Sequence, residues 1–348
     1  GGGGGAGGGT TGAGTTNAAI VAGGPTAQTK PATELYTCAT NTCVGAWSVG
    51  ANSAITDNRI MQFGKVGTQN ATLLISGYIA SPTSAATTCT EEYDGTSWAA
   101  GGANITARYV GSNTGTQNAA LLVGGNLVST THSSATEEYN GTTFASGTSN
   151  PSAADFLTAA GTQNAGVVFG GRSVPSGGSA ARFCCNQHYD GTSWTAKNSL
   201  SLAKYAAGGV GTQNSTLAFG GYTNPAPNGW QNPRTCVEEF NGVSWSTQNP
   251  LVSAVGAGNS AGDSDDALFI GGSQYPIEAK SYNQSWNGIA WSMQQNLLAK
   301  SARFASGGSG NAAIAAKGNN GMGTALWNVN PLGAGLQNWI GKVDFVTE

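Results

Sequence analysis

Residues able to do acid–base chemistry recur along this chain instead of standing alone. Glu34, Glu91, Glu137, Gln187, Glu238, Gln284 and Ala325 each lie two positions before an aromatic residue. Glycoside hydrolysis needs two carboxylates at one set separation. A carboxylate or amide at six of seven equivalent places is instead a repeated structural position. Arg59, Arg108, Lys204 and Arg303 recur in the same way, at the start of the first strand of their repeat units. Only 9% of the 348 residues are charged. Repetition against that background predicts partly buried ion pairs or hydrogen bonds between neighbouring units. Glu92, Glu138 and Glu239 alternate to the opposite strand face, where they are expected to meet solvent or a neighbouring threonine.

The remaining reactive residue types assemble no site. His132 and His188 are the only histidines; a copper or zinc centre needs more ligands, converging, so both are expected as surface side chains. The six cysteines fit no zinc spacing. Cys38 and Cys43 flank a short loop, as a disulfide or as two free thiols. Cys89, Cys185 and Cys236 each stand four residues before an aromatic and are expected as buried thiols. Asp263-Ser264-Asp265-Asp266 offers oxygens to calcium, but the same residues favour a solvated turn. Glycine-rich strings lack the Gly-Lys-Ser/Thr of a phosphate loop. No catalytic residue, cofactor or metal is therefore assigned. A net charge of -3 provides no field for nucleic acid or anionic membranes, and no apolar run reaches the length of a membrane span.

Behind these positions lies one repeat. Gly-Thr-Gln-Asn begins at Gly67, Gly115, Gly161 and Gly211, spaced by 48, 46 and 50 residues, and a degraded copy begins at Gly14. Ala267 to Gly272 and Ala312 to Gly318 mark two further units, making seven. After each Gly-Thr-Gln-Asn comes a short apolar run such as Leu121-Leu122-Val123-Gly124-Gly125, suited to an inner strand covered on both faces. Then follows Thr-Glu-Glu-Tyr-Asp-Gly-Thr-Ser-Trp in its clearest form, Thr90 to Trp98. The Asp94-Gly95 pair, with Asn140-Gly141, Asp190-Gly191, Asn241-Gly242 and Asn287-Gly288, predicts two-residue type I′ hairpins. The aromatic before the turn is Tyr36, Tyr93, Tyr139, Tyr189, Phe240, Trp286 or Trp327; the one after it is Trp47, Trp98, Phe144, Trp194, Trp245, Trp291 or Trp339. One large ring per unit in both columns predicts wedges filled between radially arranged sheets. The fold class is all-β, a seven-bladed β-propeller of four-stranded blades over residues 14–348. Residues 1–13, rich in glycine, are expected as a degenerate first strand or the end of a stalk.

The order of double glycine, aromatic and tryptophan resembles the kelch repeat. Its short form, with Glu-Glu-Tyr-Asn/Asp-Gly-Thr-Ser-Trp and Gly-Thr-Gln-Asn, resembles kelch-type repeats in virion proteins of marine bacteriophages. That resemblance implies a virion or extracellular location and a tail-fibre, baseplate or capsid-decoration role.

Loops on the two faces of such a disc differ. The Gly-Thr-Gln-Asn and Asp/Asn-Gly connections barely vary, whereas those on the other face do, and recognition usually resides in irregular loops on a rigid scaffold. Candidate partner-binding residues there are Tyr78, Arg172, Tyr222, Trp230, Arg234 and Tyr275, of types enriched at binding hot spots. The expected partners are other virion proteins, or a glycan or protein of a host surface. The alternative is an extracellular carbohydrate-binding or carbohydrate-active propeller.

Overall fold

The computed structural model describes residues 66–79, 85–128, 131–173, 181–223, 233–274 and 278–297, together with short strand segments nearer both termini. All regular structure among the described residues is strand. Five four-stranded antiparallel sheets form blades of a β-propeller. Blade I comprises Gly67–Thr68, Ala71–Ile75, Thr90–Tyr93 and Trp98–Ala100; blade II comprises Ser112–Thr116, Ala119–Val123, Thr136–Tyr139 and Phe144–Gly147. Blade III runs from Thr158–Thr162 through Ala165–Phe169 and Asn186–Tyr189 to Trp194–Lys197. Blade IV is Gly208–Thr212, Ser215–Phe219, Val237–Phe240 and Trp245–Gln248, and blade V is Asn259–Gly262, Ala267–Ile270, Asn283–Trp286 and Trp291–Met293.

The apolar runs form the second strands, buried on both faces because each blade is sandwiched between two others. Leu121 and Val123 of blade II pack with Leu157, Val168 and Tyr189 of blade III. Leu217 and Phe219 of blade IV pack with Val255, Phe269 and Trp286 of blade V. The two aromatic columns face each other across strands three and four, at 4.9 Å for Tyr93–Trp98, 4.6 Å for Tyr139–Phe144 and 4.8 Å for Tyr189–Trp194. Such pairs contribute about 0.5–1.5 kcal/mol each beyond their area burial.

The Gly-Thr-Gln-Asn loop is the tight turn. Thr116 pairs with Ala119, leaving Gln117 and Asn118 as a two-residue connection. Gly115 precedes it at φ 108, and a Cβ there would lie 2.3 Å from the Ala119 carbonyl oxygen. Only glycine fits. The glutamine then joins blades: Gln117 Nε2 donates to the Thr72 and Tyr93 carbonyls of blade I, at 3.0 and 2.7 Å. Gln163 and Gln213 repeat the contact on blades II and III.

The Asp-Gly turn departs from the expected type I′ form. Tyr93 pairs with Trp98, so the loop has four residues, and Gly95 has positive φ whereas Asp94 does not. Asp94 Oδ1 instead accepts the Thr96 and Ser97 N–H groups at 2.8 and 2.7 Å. These bonds hold its carboxyl below the ordinary carboxylate range. Asn140, Asp190, Asn241 and Asn287 do the same. An Asx turn, not two left-handed residues, is why Asp or Asn must precede the glycine.

Near the termini, Gly14–Thr15, Ala18–Ala22 and Thr33–Tyr36 form a three-stranded sheet. Ala305–Gly308, Ala312–Lys317 and Ala325–Asn328 form another, which takes Ala46–Ser48 as its outer strand. Trp47 thus lies opposite Trp327, not opposite Tyr36 as the repeat order suggests; Trp339 lies outside the described residues. Gly9–Thr10 pairs with Lys317 and Ala316, and the rest of 1–13 is outside the described residues.

Candidate functional site

The recurring acids are occupied by backbone and by cations of their own unit. Arg108 NH2 and Glu137 Oε1 are 2.5 Å apart, with side chains 0% and 2% exposed. Glu137 also accepts the Ile105 and Thr106 N–H groups, at 2.7 and 3.1 Å, which fixes the segment feeding its blade. Lys204 Nζ and Glu238 Oε1 are 2.9 Å apart, and Glu238 accepts from the Ser201 N–H and hydroxyl. Burial raises the Glu238 pKa, but the Lys204 ammonium and these bonds outweigh it and hold the carboxyl low. The expected bridges between units are therefore corrected to bridges within a unit. Where the cation is absent, the acid is an amide. Blade V has Val255 with Gln284, whose side chain accepts from Ser253 N–H at 2.9 Å and donates to Ser253 carbonyl at 3.1 Å. Blade III has Ala154 with Gln187. Glu91 is fully buried on blade I, and Arg59 directly precedes Ile60, which faces Tyr78 as Tyr109 faces Asn126. Glu34 belongs to Thr33–Tyr36; Arg303 lies outside the described residues.

The second column of acids, Glu92, Glu138 and Glu239, is partly exposed, and two of its members reach the next blade. Glu92 accepts the Tyr139 hydroxyl of the next blade, and Glu138 accepts that of Tyr189 at 2.5 Å. Burial first, then the Glu92 bond, pushes the Tyr139 phenol up to about 12. In the following interface both partners change together: His188 meets Phe240 edge-on at 5.5 Å between ring centres. His188 is 6% exposed, so the expected surface histidine is a buried one. Glu239 turns back to Gln248 Nε2 at 2.8 Å. Cys89, Cys185 and Cys236 are thiols of intermediate burial, less covered than expected, and Cys184 is another. Cys38 and Cys43 lie outside the described residues. Asp263 caps its own turn through the Asp265 and Asp266 N–H groups, and among the described residues no three metal-ligating side chains cluster.

A different group of side chains gathers at the axial end of the variable-loop face. There the residue entering each first strand bridges to the residue following the double glycine. The bridges are Tyr109 to Asn126, Asp155 to Arg172, Tyr205 to Tyr222 and Gly256 to Ser273, with Ile60 to Tyr78 equivalent. Three candidates, Tyr78, Arg172 and Tyr222, thus share one register position. Just after each bridge stands a non-glycine residue in the left-handed region: Val110 at φ 50, Phe156 at 51, Ala206 at 51 and Ala257 at 53. Backbone bonds run from blade to blade through them, Phe156 N–H to Val110 carbonyl, Ala206 to Phe156 and Ala257 to Ala206. Left-handed residues of this kind cost about 1–3 kcal/mol each and persist where surrounding bonds hold them.

Onto this ring the side chains close an arc. Asp155, 1% exposed, holds Arg172 Nε at 3.0 Å and lies 3.6 Å from His132 Nε2. The Arg172 guanidinium sits over the Phe156 and Tyr205 rings at 4.7 and 5.3 Å. Tyr78 and Tyr109 pack at 5.0 Å, and burial, followed by Asp155, raises the Tyr109 phenol. Tyr222 is wholly buried, stacked on Tyr205 and bonded to the Ser273 carbonyl at 2.9 Å. It supports the arc and cannot itself contact a partner. Arg234 is exposed and bonds Thr223 at 2.6 Å, while Trp230 and Tyr275 lie outside the described residues.

The arc thus presents the part-exposed rings of Tyr78 and Tyr109 and a guanidinium whose charge is balanced by Asp155. His132 Nε2 has no hydrogen bond and approaches Asp155 at 3.6 Å. No family model matches the sequence, and no curated protein matches it. Sequence reasoning missed Tyr109, Asp155 and Tyr205; aligning the residue before each first strand shows that column, with Asp155 its single acid among Ile60, Tyr109, Tyr205 and Gly256.

Proposed function

We propose that the chain is a non-enzymatic structural or adhesion module of a virion: a seven-bladed kelch-like propeller displayed on a phage particle, as a tail-fibre, baseplate or capsid-decoration element. It binds a host surface or a neighbouring virion subunit through its variable-loop face. The observation carrying this reading is the division of labour between the polar residues. The repeated acids are consumed in holding blades, while the non-repeated Asp155, Arg172, Tyr109 and His132 collect where loop lengths diverge. Seven copies of the second-strand segment, two of them in the terminal sheets, support the blade number.

A saccharide is the ligand class that the Tyr78–Tyr109 pair favours, since aromatic faces and neutral polar groups suit a low-charge surface. Against a glycosidase on this fold stands the makeup of the inner strands. Ser112–Thr116, Thr158–Thr162, Gly208–Thr212, Asn259–Gly262 and Ala305–Gly308 contain no carboxylate. The test is binding of the intact protein to a glycan array and to host envelope fractions, with R172A, Y109A and W230A compared. Loss of binding in R172A and Y109A with unchanged folding supports the reading. Binding unaffected by all three, or turnover of a bound glycan, removes it.

A further inference from the structure

Two buried donors on blade I have no partner. Gln69 is fully buried, and neither atom of its amide makes a hydrogen bond. Trp98 is nearly as buried, and its indole N–H makes none either. A buried donor left unbonded is costly enough that native proteins rarely keep one.

The other blades show what these atoms are for. Gln117, Gln163 and Gln213 each donate to both carbonyls of one cross-strand pair in the unit immediately before their own: Thr72 and Tyr93, Ala120 and Tyr139, Gly166 and Tyr189. Trp194 and Trp245 donate to Thr148 and Asn198, at 2.8 and 3.0 Å, just beyond the outer strand of the blade before. Gln69 holds the repeat position of these three glutamines and is fully buried, yet lacks the carbonyl partners they have; the unbonded indole of Trp98 is shared with Trp291 of blade V, so the glutamine carries the inference.

We infer that the Gln69 amide donates to the Ala19 and Tyr36 carbonyls of the N-terminal sheet of Gly14–Thr15, Ala18–Ala22 and Thr33–Tyr36, whose first strand lies against Gly67–Thr68. Ala19 pairs with Tyr36, as Thr72 pairs with Tyr93, so the required couple of carbonyls exists in register. In each of the three described glutamine contacts, the acceptor belongs to the unit preceding in sequence; for Gln69 that unit is Gly14–Tyr36. The competing acceptor is the sheet built on Ala312–Lys317 and Ala325–Asn328, where Ala313 pairs with Trp327. The inference rests on the seven-bladed reading and is independent of what the ring binds.

Hydrogen exchange of the full chain, followed by mass spectrometry, separates the two. In Q69A, amides of Ala18–Ala22 and Thr33–Tyr36 exchange about tenfold faster, the factor expected for one or two lost hydrogen bonds, and those of 312–328 are unchanged. W98F, a milder change on the same face, gives the same pattern if Q69A does not fold. Faster exchange confined to 312–328, or no change in either segment, overturns the assignment. Seven blades in a low-resolution envelope with that second outcome would leave the blade number standing and remove only this interface.

Discussion

Replacing Glu137 with Gln leaves the Arg108 guanidinium charged, completely buried and without its counter-ion. Burial already lowers the Arg108 pKa against the pull of Glu137, yet an arginine cannot shed its proton in this range. Removing one partner of a buried pair costs about 3–5 kcal/mol. The lower end applies to E137Q, because Arg108 NH1 keeps bonds to the Gly124 and Ala135 carbonyls at 3.2 and 3.0 Å. R108V strands Glu137 in turn, with only the Ile105 and Thr106 N–H groups for solvation, at about 4 kcal/mol by the same reasoning. The double variant R108V/E137Q recreates the Val255/Gln284 couple of blade V and should lie within about 2 kcal/mol of the native chain, the charge having left with its partner. Urea titration of the four proteins gives the coupling, expected at about 5–7 kcal/mol. A double variant as unstable as the two single variants summed, or single variants costing under about 1 kcal/mol, would show that the column is not a charge-balanced clamp.

Burial first, and Lys197 second, hold the His188 imidazole down to about 4. A depressed pKa means that the unfolded chain binds the extra proton. Its contribution is therefore complete above about pH 6.5 and is lost between there and about pH 4, by at most ~3 kcal/mol. H188Q should flatten the dependence of the melting temperature on pH across that window, and an identical slope in both proteins would refute the assignment. Asp94 and Asp190, held low by turn N–H groups, act below that window, because their stabilisation is lost as pH falls below the usual carboxylate range. G115A forces a Cβ into the Ala119 carbonyl and should destabilise by about 2 kcal/mol or more, read as a lowered urea midpoint. Q163A, which leaves the Ala120 and Tyr139 carbonyls without the Gln163 donor, should cost about 1–3 kcal/mol and raise exchange locally at the junction of blades II and III; uniform exchange changes would contradict its role as a staple.

Much of the architecture was legible in the residues because a repeat compares the chain with itself. Gly115, Gln117, Tyr139 and Phe144 recur in columns, and only a radial array of like sheets gives every copy the same neighbours. The same comparison separated the repeated Glu137 and Glu238 from any unique catalytic pair. It could not reveal that each acid pairs with Arg108 or Lys204 within its own unit, because the loop bringing them together folds back outside the strand register.

Local pattern also misjudged the turns and one face of the third strand. Asp94-Gly95 carries the signal of a two-residue hairpin, but the Tyr93–Trp98 register lengthens the loop and the Asp side chain caps it. Alternation placed Glu92, Glu138 and His188 away from the inner packing, which reads as solvent in a lone sheet; in a propeller that face meets the next blade, where Tyr139, Tyr189 and Phe240 wait. Tyr222, chosen for its type and its loop, is sealed beneath Tyr205 and Ser273. The order and chemistry of each blade are thus written locally, since strand period, turn residues and glycine positions depend on near neighbours. Which polar groups end as clamps and which reach the axial surface was decided only when successive blades closed on one another, because burial and pairing belong to the interfaces and not to the repeat.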